Sequence, residues 1–456
     1  MLTLCKNDKR QVKELIKNKK LDAIVTSNTD LVDDIVLAMS HEGIIDCLHI
    51  GTFDKRRHNS FVPFKLIMTL AIAAKMKVKT SLTDVPYAIQ DHRVLAELGF
   101  NIACNTKKEL FTEGAIRHLI GKYTAHQLID YYNEVVKQRI FVTKDINPDI
   151  HILDCTKIAV NKDNKNYENS SLSRDRKGQV MRGYKLASLR GLYKDTGIIE
   201  EIRFGTASTH DLILCEDMLK TTRCFNDGDI LINDRGFLSR TLINYLKTER
   251  KVDTYIPLKS NMHAYEQAIF VATQQNDWMP HPNKKRRHQL ITTVFDIGVF
   301  WESSTPYEDV PLKSCVIWDK KENEHFVFVT TDLNASATDI VKTYELRTEI
   351  EEDFRQLKDF WKMEDFKSTK YNMIVFHIIC VLLGYLFFQL YINSEYGKQY
   401  LGKSLPIILK NYKPKFLNYL VIYSGNHFCC MSMKEFFEFR DACDKEIQRF
   451  ILGFFE

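Results

Sequence analysis

The stretch YELRTEIEEDFRQLK, residues 344–358, decides the fold prediction because it combines two helical stripes of different character. Tyr344, Arg347, Glu351 and Lys358 succeed one another at intervals of three, four and seven residues. At about 100° per residue, these side chains fall within roughly 60° of one another on an α-helix. The second stripe is apolar and predicts packing against a core; it consists of Leu346, Ile350, Phe354, Leu357 and Trp361.

The same stretch predicts one continuous helix with a capped start. Ser336 followed by Asp339 places a capping residue and an acid at the beginning of this helix. The polar stripe presents Glu351 between Arg347 and Lys358. Because a charged stripe is more often a solvated helix face than a site, the rest of the chain must decide between these two interpretations.

The composition is that of a globular protein with room for more than one domain. The chain has 456 residues, 45% hydrophobic and 27% charged, enough for two or three domains. Its net charge of +5 is too small to indicate nucleic acid by itself. Residues 162–190, however, contain eight Lys or Arg against three Asp or Glu, and Lys284-Lys285-Arg286-Arg287 has no acid beside it. Both segments predict contact with phosphate, or else solvated loops.

The cysteines and the N-terminus indicate a reducing compartment. Eleven Cys lie at irregular spacing without a C-x-x-C pair, which describes neither a disulfide framework nor a zinc site. The N-terminus, MLTLCKNDKRQVKELIKNKK, is too charged for a signal peptide. We therefore expect reduced thiols in a cytoplasmic protein.

One segment passes the length test for a transmembrane helix. Residues 371–394 contain no charged residue and include MIVFHIICVLLGYLFFQLYI. Such a helix either spans a membrane or lies at the centre of a large domain, where it is apolar on all sides. The segment is solitary, contains His377 and Gln389, and follows the charged helix directly, which favours a buried helix.

Residues 1–145 carry helical patterns and are predicted to form a helical N-terminal domain. The four patterns are VKELIKNKKLDAIV, FKLIMTLAIAAKMK, LTDVPYAIQDHRVLAEL and TAHQLIDYYNEVVKQ. Ser81 or Thr83 can cap the third. Paired helices in this region could form a helix-turn-helix that binds DNA, although most such pairs only pack together.

The pattern changes at Ile150, where strands and helices begin to alternate. Three predicted strands are followed by helix, strand, helix and strand; the segments are IHILDCTKIAV, YKLASLRGLY, IIEEIRFGTAS, HDLILCEDMLK, DILIND, RTLINYLKTER and DTYIPLK. This order predicts an α/β fold. Asp154 lies within the first strand and Asp234 at the end of the fourth. A carboxylate in an apolar sheet costs free energy unless it is paired or binds a metal.

Residues 260–332 predict a β-rich insertion subdomain between Asp234 and the Glu351 helix. Its strand patterns are QLITTVFDIGVFWES, KSCVIWD and HFVFVTTDL. The α/β core accordingly comprises residues 146–259 and 333–395. A C-terminal helical region at 396–456 is predicted from SLPIILKNY, FLNYLVIY and MKEFFEFRDACDKEIQRFILGFF.

Asp154, Asp234 and Glu351 are hard donors without histidine or cysteine at ligand spacing nearby. Three carboxylates suit Mg²⁺, with Mn²⁺ as a substitute, and two such ions can activate a nucleophile and stabilise the leaving oxygen of a phosphodiester. Arg347 and Lys358 would supply positive charge to a DNA backbone. The chain has no G-x-x-x-x-G-K-[ST] loop, so no nucleotide cofactor is expected, and it has no G-x-S-x-G elbow.

Asp154 in LDCTKIAV, Asp234 in NDRGF and the series Tyr344-x2-Arg347-x3-Glu351-x6-Lys358 resemble the DDE transposases of bacterial insertion sequences. The Y-R-E-K spacing is similar to that of the branch named for insertion sequence four. The resemblance extends from about residue 150 to residue 377. It implies a ribonuclease H-like catalytic core with a β-rich insertion before the Glu helix. It also implies that the apolar segment packs within the core and does not span a membrane.

The resemblance further implies the chemistry and the partners. Asp154, Asp234 and Glu351 would be catalytic ligands of two Mg²⁺ ions, which cut transposon ends and let the freed 3′ hydroxyl attack target DNA. The residues expected to contact DNA are Tyr344, Arg347 and Lys358 from the resemblance, and Arg182, Lys185, Lys284, Lys285, Arg286 and Arg287 from the charge clusters. The partners would be double-stranded DNA and a second copy of the chain on paired ends, at the bacterial nucleoid.

Three other functions stay open from the sequence. The first is a metal-dependent DNA nuclease on the same core without strand transfer. The second is a domesticated DNA-binding protein without catalysis, against which the intact Asp154, Asp234 and Glu351 argue. The third is a membrane protein anchored by residues 371–394.

Overall fold

A computed structural model describes residues 3–54, 62–101, 112–175, 177–193, 196–301, 305–412 and 415–455. The chain divides into two compact units. We call Met1–Tyr131 together with Leu357–Glu456 the terminal unit, and Tyr132–Gln356 the central unit. Each unit is described by itself.

The described residues contain the following elements in chain order. The strands are β1 (Thr3–Leu4), β2 (Lys6–Asn7), β3 (Ala23–Thr29), β4 (Phe100–Asn101), β5 (Ile150–Val160), β6 (Ser171–Arg174), β7 (Val180–Tyr193), β8 (Thr196–Thr206), β9 (Ile230–Asn233), β10 (Asp253–Pro257), β11 (Met279–Pro280), β12 (Gln289–Val294), β13 (Lys313–Asp319), β14 (Glu324–Thr330), β15 (Lys415–Ser424) and β16 (His427–Ser432). The helices are α1 (Lys9–Lys17), α2 (Leu31–His41), α3 (Ile44–Cys47), α4 (Phe64–Met76), α5 (His92–Glu97), α6 (Glu113–Ile120), α7 (Ala125–Asn133), α8 (Phe141–Lys144), α9 (Asp211–Thr221), α10 (Arg240–Glu249), α11 (His263–Gln275), α12 (Ala337–Glu345), α13 (Thr348–Asp359), α14 (Tyr371–Ile392), α15 (Leu405–Asn411), α16 (Met433–Asp441) and α17 (Lys445–Leu452).

The central unit is built on one ten-stranded sheet with the order β11-β12-β13-β14-β10-β9-β5-β7, in which β6 and β8 pair with successive parts of β7. The strands β5, β9 and β10 are parallel, whereas β7 is antiparallel to β5 and β14 is antiparallel to β10. The helices α9 and α10 lie in the chain between β8 and β10. The predicted alternation of strands and helices after residue 150 is therefore confirmed, and the fold is α/β.

The strands of the predicted β-rich insertion, residues 260–332, continue this same sheet. Tyr255 of β10 pairs with Thr330 of β14, and β13 and β12 follow outward. This pairing covers an edge of β10 whose backbone groups would otherwise be open. The strand predicted from Gln289 ends early, at Val294, and Asp296, in a left-handed conformation (φ 48°), precedes a 3₁₀ turn.

A buried polar cluster ties three parts of the central unit together. His151 on β5 lies with Nδ1 2.7 Å from Glu200 Oε2 on β8 and with Nε2 3.1 Å from Asp229 Oδ2 before β9. All three residues are buried. Gly191 leaves the room that Glu200 needs, since a Cβ there would lie 2.6 Å from Glu200 Oε1.

Helix α14 of the terminal unit is the apolar segment that passes the membrane length test. It has a mean hydropathy of 2.3 over a window that is 100% buried. It packs against α2, α4 and α6. Close packing is possible at Gly384, where a Cβ would lie 3.1 Å from Met76 Cγ and from the Trp361 ring. The prediction of a buried helix is confirmed.

The terminal unit contains strands where only helices were predicted. The segment FLNYLVIY lies in β15, the centre of a sheet with the order β2-β16-β15-β3, and the helix predicted from Val12 ends at Lys17 before β3 begins. Leu420 and Ile422 enter one apolar cluster while Val421 and Tyr423 enter another. Because both faces of β15 are buried at residues 420–423, this apolar run has no alternation and cannot be told from a helix by periodicity.

The other sequence expectations for the terminal unit have mixed outcomes. The predicted third N-terminal helix is split into a 3₁₀ turn at Leu82–Tyr87 and the short helix α5. Ser81 caps that turn by accepting a hydrogen bond from the Thr83 backbone N–H. The division of the chain into the four predicted domains stays a prediction.

Candidate active site

Strand pairing brings Asp154 and Asp234 side by side in the central unit. The parallel strands β5 and β9 pair Leu153 with Asn233, so the next residue on each is one of the two acids. Leu153 belongs to the core that α9 and α10 cover, and Cys155 packs against the same core. Since side chains alternate along a strand, Asp154 projects from the opposite face of the sheet.

Both aspartates are held by local hydrogen bonds. The Asp154 carboxylate accepts a hydrogen bond from the Cys155 backbone N–H at 2.7 Å. Asp154 as a whole is only 9% exposed. Asp234 accepts the Arg235 backbone N–H at 2.8 Å and caps a short 3₁₀ turn. These bonds use one carboxylate oxygen of each residue.

The helix predicted from Ser336 to Trp361 is not continuous, so this prediction is wrong. Its capping box at Ser336 and Asp339 is present, but α12 ends at Glu345 and α13 begins at Thr348. At the break, the backbone N–H of Arg347 bonds to the Tyr344 carbonyl three residues back. No Gly or Pro lies in the stretch to mark this turn in the sequence. The apolar stripe is buried except for the half-buried Leu346.

Arg347 joins the strand acid to the helix acid. Its Nη1 lies 3.0 Å from Asp154 Oδ2, and its Nη2 lies 3.0 Å from Glu351 Oε1. Burial alone would lower the pKa of Arg347, but the neighbouring Tyr344 and the acids raise it. The guanidinium is therefore a permanent positive charge between two carboxylates.

The surroundings of Asp154 favour a bound cation. The pKa of Asp154 is raised to about 6, chiefly by burial and also by the charges of Asp234 and Glu351, although the Cys155 N–H and Arg347 act to lower it. A divalent cation would relieve this crowding of negative charge, and three carboxylates are the donors that Mg²⁺ prefers. Within the described residues, no three acid, His or Cys side chains are already grouped closely enough to hold an ion. The donor set fits a hard cation in its chemistry, with Arg347 making the neutralising contacts to Asp154 and Glu351.

An open cleft of about 630 Å³ lies along these residues in the central unit. Asp234, Tyr344, Arg347 and Glu351 line it together with residues that the sequence did not single out, namely Arg235, Pro257, Leu258, Ser260, Tyr265, His325, Phe326, Val327 and Phe328. Phe326 is 45% exposed, and the Tyr344 ring lies 4.4 Å from that of Phe328 between centroids. Phe326 and Phe328 lie on β14, whose side chains alternate between buried and more exposed. Alternation in a sequence does not reveal which face of a strand borders a cleft.

Of the four residues in the polar stripe, Lys358 alone belongs to the terminal unit. It lies on α13 two helical turns after Glu351, and its Nζ is 3.4 Å from Glu364 Oε1. Its side chain is 27% exposed. The structure thus brings Asp154, Asp234, Tyr344, Arg347 and Glu351 together, while the role of Lys358 stays a prediction.

The basic residues predicted between 162 and 190 differ in accessibility. Lys185 is buried, with its ammonium 2.5 Å from Asp211 Oδ1. This pairing argues against a phosphate contact by Lys185. Arg182 is half-buried and donates to the Lys162 carbonyl at 3.0 Å. Arg176 of the same segment lies outside the described residues.

The second basic segment, Lys284–Arg287, forms an exposed turn in the central unit. Its first three residues make a 3₁₀ turn that the Asn283 side chain caps. Arg286 Nη1 lies 3.5 Å from Glu345 Oε1, with 46% of its side chain exposed. The turn therefore offers positive charge to solvent.

Comparison with known proteins adds one finding. The family model described as "Transposase DDE domain" matches residues 147–387, more than half of the 456-residue chain. No curated protein was found to match the chain. The matched range includes Asp154, Asp234 and Glu351.

Proposed function

The chain belongs to the DDE transposase family, and from this premise we propose that it cuts DNA at the ends of an insertion sequence and joins the ends to target DNA. The observation that carries the proposal is the arrangement of the three carboxylates around Arg347, whose charge all three acids influence. Asp154 lies on β5, Asp234 directly follows the neighbouring parallel strand β9, and Arg347 links Asp154 to Glu351. Carboxylates on a strand, a strand end and a helix also support a ribonuclease H-like core.

We propose that Asp154, Asp234 and Glu351 hold two Mg²⁺ ions, for which Mn²⁺ can substitute. Bound there, the ions would activate the attacking water or 3′ hydroxyl and stabilise the leaving oxygen of the phosphodiester. The chain's own contribution is to fix the carboxylates: strand pairing aligns the two aspartates, and the N–H of Cys155 orients the first.

Arg347 and Tyr344 are proposed to hold the DNA backbone in the cleft. A guanidinium carries five N–H donors, more than the contacts with Asp154 and Glu351 use. Arg347 can therefore bind a phosphate while its charge still balances the acids. Together with Lys358, these residues have the spacing of the insertion sequence four branch, to which we assign the chain. A homodimer on paired ends and a location at the nucleoid complete the proposal.

The test is to incubate the purified protein with Mg²⁺ and a duplex that carries the end of its own element beside flanking DNA. We expect a nick at the element boundary, followed by joined products when target DNA is added. A duplex with a scrambled end is the control and should stay intact. Nicks without joined products would favour the nuclease alternative. The absence of both nicked and joined products would refute the proposal.

The exposed turn Lys284–Arg287 gives a prediction about DNA affinity. Replacing its four basic residues with Gln should weaken binding to any duplex, because phosphate contacts do not depend on sequence. The slope of log affinity against log salt should become less steep by about 0.9 for each phosphate that the variant no longer neutralises. Fluorescence anisotropy at several salt concentrations measures both quantities.

The buried Lys185 provides the comparison within this experiment. Replacing Lys185 with Gln should leave the salt slope unchanged, since its ammonium is bonded to Asp211. If the variant without the Lys284–Arg287 charges keeps the slope of the unaltered chain, the turn is a solvated loop.

A further inference from the structure

Arg190 makes a buried ion pair that links the sheet to the helix carrying Glu351. It lies on β7 and is 4% exposed. Its Nε is 2.5 Å from Asp353 Oδ2, and its Nη2 is 3.0 Å from Glu349 Oε2. Asp353 is also buried, whereas the side chain of Glu349 is 45% exposed. Arg190 therefore holds two acids one helical turn apart on α13.

The ion pairs that Arg347, just before α13, and Asp353, on α13, make with the sheet come from one face of that sheet. In the pairing of β5 with β7, Asp154 is opposite Ser188 and Ile152 is opposite Arg190. Residues 152 and 154 project to the same side, and directly paired residues share a face. Asp154 thus contacts Arg347 in the turn before α13, and Arg190 contacts Asp353 on α13 itself.

The ion pairs lie on opposite flanks of the helix. At about 100° per residue, Glu351 is about 160° away from both Glu349 and Asp353. The buried Ile350 and Phe354 lie between these two directions. Packing of the apolar side chains alone does not fix the rotation of the helix about its axis. The Arg190 guanidinium, which is bonded to one side of the helix, opposes that rotation. The direction in which Glu351 points depends on the same rotation.

The backbone beside Arg190 leaves space for its fork. A Cβ at Gly197 on the neighbouring strand β8 would lie 1.8 Å from Arg190 Cζ. Any side chain at this position would clash with the guanidinium in its present place. The strand pair is irregular here, with a shift of register between Leu189 and Arg190.

We propose that Arg190, acting through Asp353 and Glu349, is a positioning residue that sets the rotation of α13 and so aims Glu351 at Asp154 and Asp234. The inference rests on the proposed function, because it gives Glu351 its direction within the same metal-binding site. Arg190 touches neither DNA nor a reacting atom in this role.

The test replaces Asp353 with Asn and Glu349 with Gln, each of which keeps its shape and loses the charge that Arg190 holds. For Asp353→Asn we expect turnover about 10- to 100-fold lower and Mn²⁺ binding weakened by about tenfold. The reason is that the Arg190–Asp353 pair, which does not touch the metal, orients Glu351, which would bind it. For Glu349→Gln, whose pair is partly exposed, we expect losses of about threefold. The dissociation constant for DNA should change less than about twofold in both.

The measurements are single-turnover cleavage of the end duplex, calorimetric titration with Mn²⁺ alone, and circular dichroism melting. Glu352→Gln is the matched control, since Glu352 lies on the same helix and pairs with the exposed Arg355 at 2.6 Å. It should match the unaltered chain in turnover and Mn²⁺ affinity.

The outcomes separate this inference from the proposed function. Unchanged turnover and Mn²⁺ affinity in both variants would overturn the inference. A loss of turnover that is fully explained by a smaller folded fraction, as measured by melting, would overturn it as well. If Asp353→Asn does not fold, Glu349→Gln decides. If the unaltered chain neither nicks nor joins DNA, the proposed function fails, while the Mn²⁺ titration still decides whether Arg190 positions a ligand.

Discussion

Glu351→Gln is expected to abolish cleavage and joining of DNA while leaving DNA binding intact. The change removes one negative charge and one oxygen donor from the site but keeps the size of the side chain. Transition-state charge on a phosphodiester is stabilised by several kcal/mol through bound metal, and each 1.36 kcal/mol is tenfold in rate. We therefore expect the nicking rate to fall by about 10³-fold or more. Single-turnover cleavage of the end duplex measures it.

The fold does not depend on this carboxylate, so the loss should be one of chemistry. The side chain of Glu351 is 36% exposed, and Arg347 keeps its contact with Asp154 in the variant. Melting temperature and DNA affinity, the latter measured in Ca²⁺, should stay close to those of the unaltered chain. Glu352→Gln, one residue further along, is the control.

The three carboxylates should also act as a unit. Asp154→Asn combined with Glu351→Gln should be about as slow as either change alone, because residues that serve one step are not additive. A cleavage rate in Glu351→Gln within tenfold of the unaltered chain would contradict the assignment of this residue as a ligand.

His151→Phe is expected to cause the largest loss of stability among single substitutions of the central unit. The imidazole lies between Glu200 and Asp229, and all three side chains are buried. Removing it leaves two buried carboxylates without their partner, which costs about 3–5 kcal/mol in the free energy of unfolding. Urea denaturation at neutral pH measures this loss. His126→Gln, at a side chain 85% exposed on the surface, is the control and should change the free energy by less than about 0.5 kcal/mol.

The same cluster predicts how stability depends on pH. Burial alone would lower the pKa of His151, but the charge of Glu200 and the hydrogen bonds to both acids outweigh it and raise the pKa to about 9. A group whose pKa is higher in the folded state stabilises the fold at low pH. Its contribution, roughly 3 kcal/mol for a pKa raised from 6.5 to about 9, is complete below about pH 6.5 and is lost as the pH rises through about 9.

The comparison of His151→Phe with the unaltered chain isolates this contribution. The difference in unfolding free energy between the two should shrink between pH 6.5 and pH 9.5, since only the unaltered chain holds the proton. Adding Glu200→Gln and Asp229→Asn to His151→Phe should restore part of the stability, because no buried charge is then left unpaired. A difference that does not change with pH would show that His151 is neutral in the folded protein.

The sequence predicts those residues of the candidate site that stand out from the local pattern of their strand or helix. Asp154 and Asp234 lie in apolar strand patterns where a carboxylate is conspicuous, and Glu351 lies in a helix pattern at a recognisable spacing. Arg190 could not be found in this way. It reads as one basic residue in a charged segment, and its role depends on Asp353, 163 residues later in the chain. The same charge pattern predicts a DNA contact for Lys185, whereas in the structure Lys185 is buried and paired with Asp211.

The sequence by itself determined the α/β alternation after residue 150, the apolar helix at 371–392 and the three acids, because residue type and periodicity are properties of consecutive residues. Only the tertiary structure decided that β14 joins β10, that residues 416–423 form a strand, that the helix breaks after Glu345 and that Arg190 grips α13. Each of these rests on hydrogen bonds, packing or ion pairs between residues far apart in the chain. A local pattern records what a segment can bury, whereas its partner and its final shape follow from what the rest of the chain brings to it.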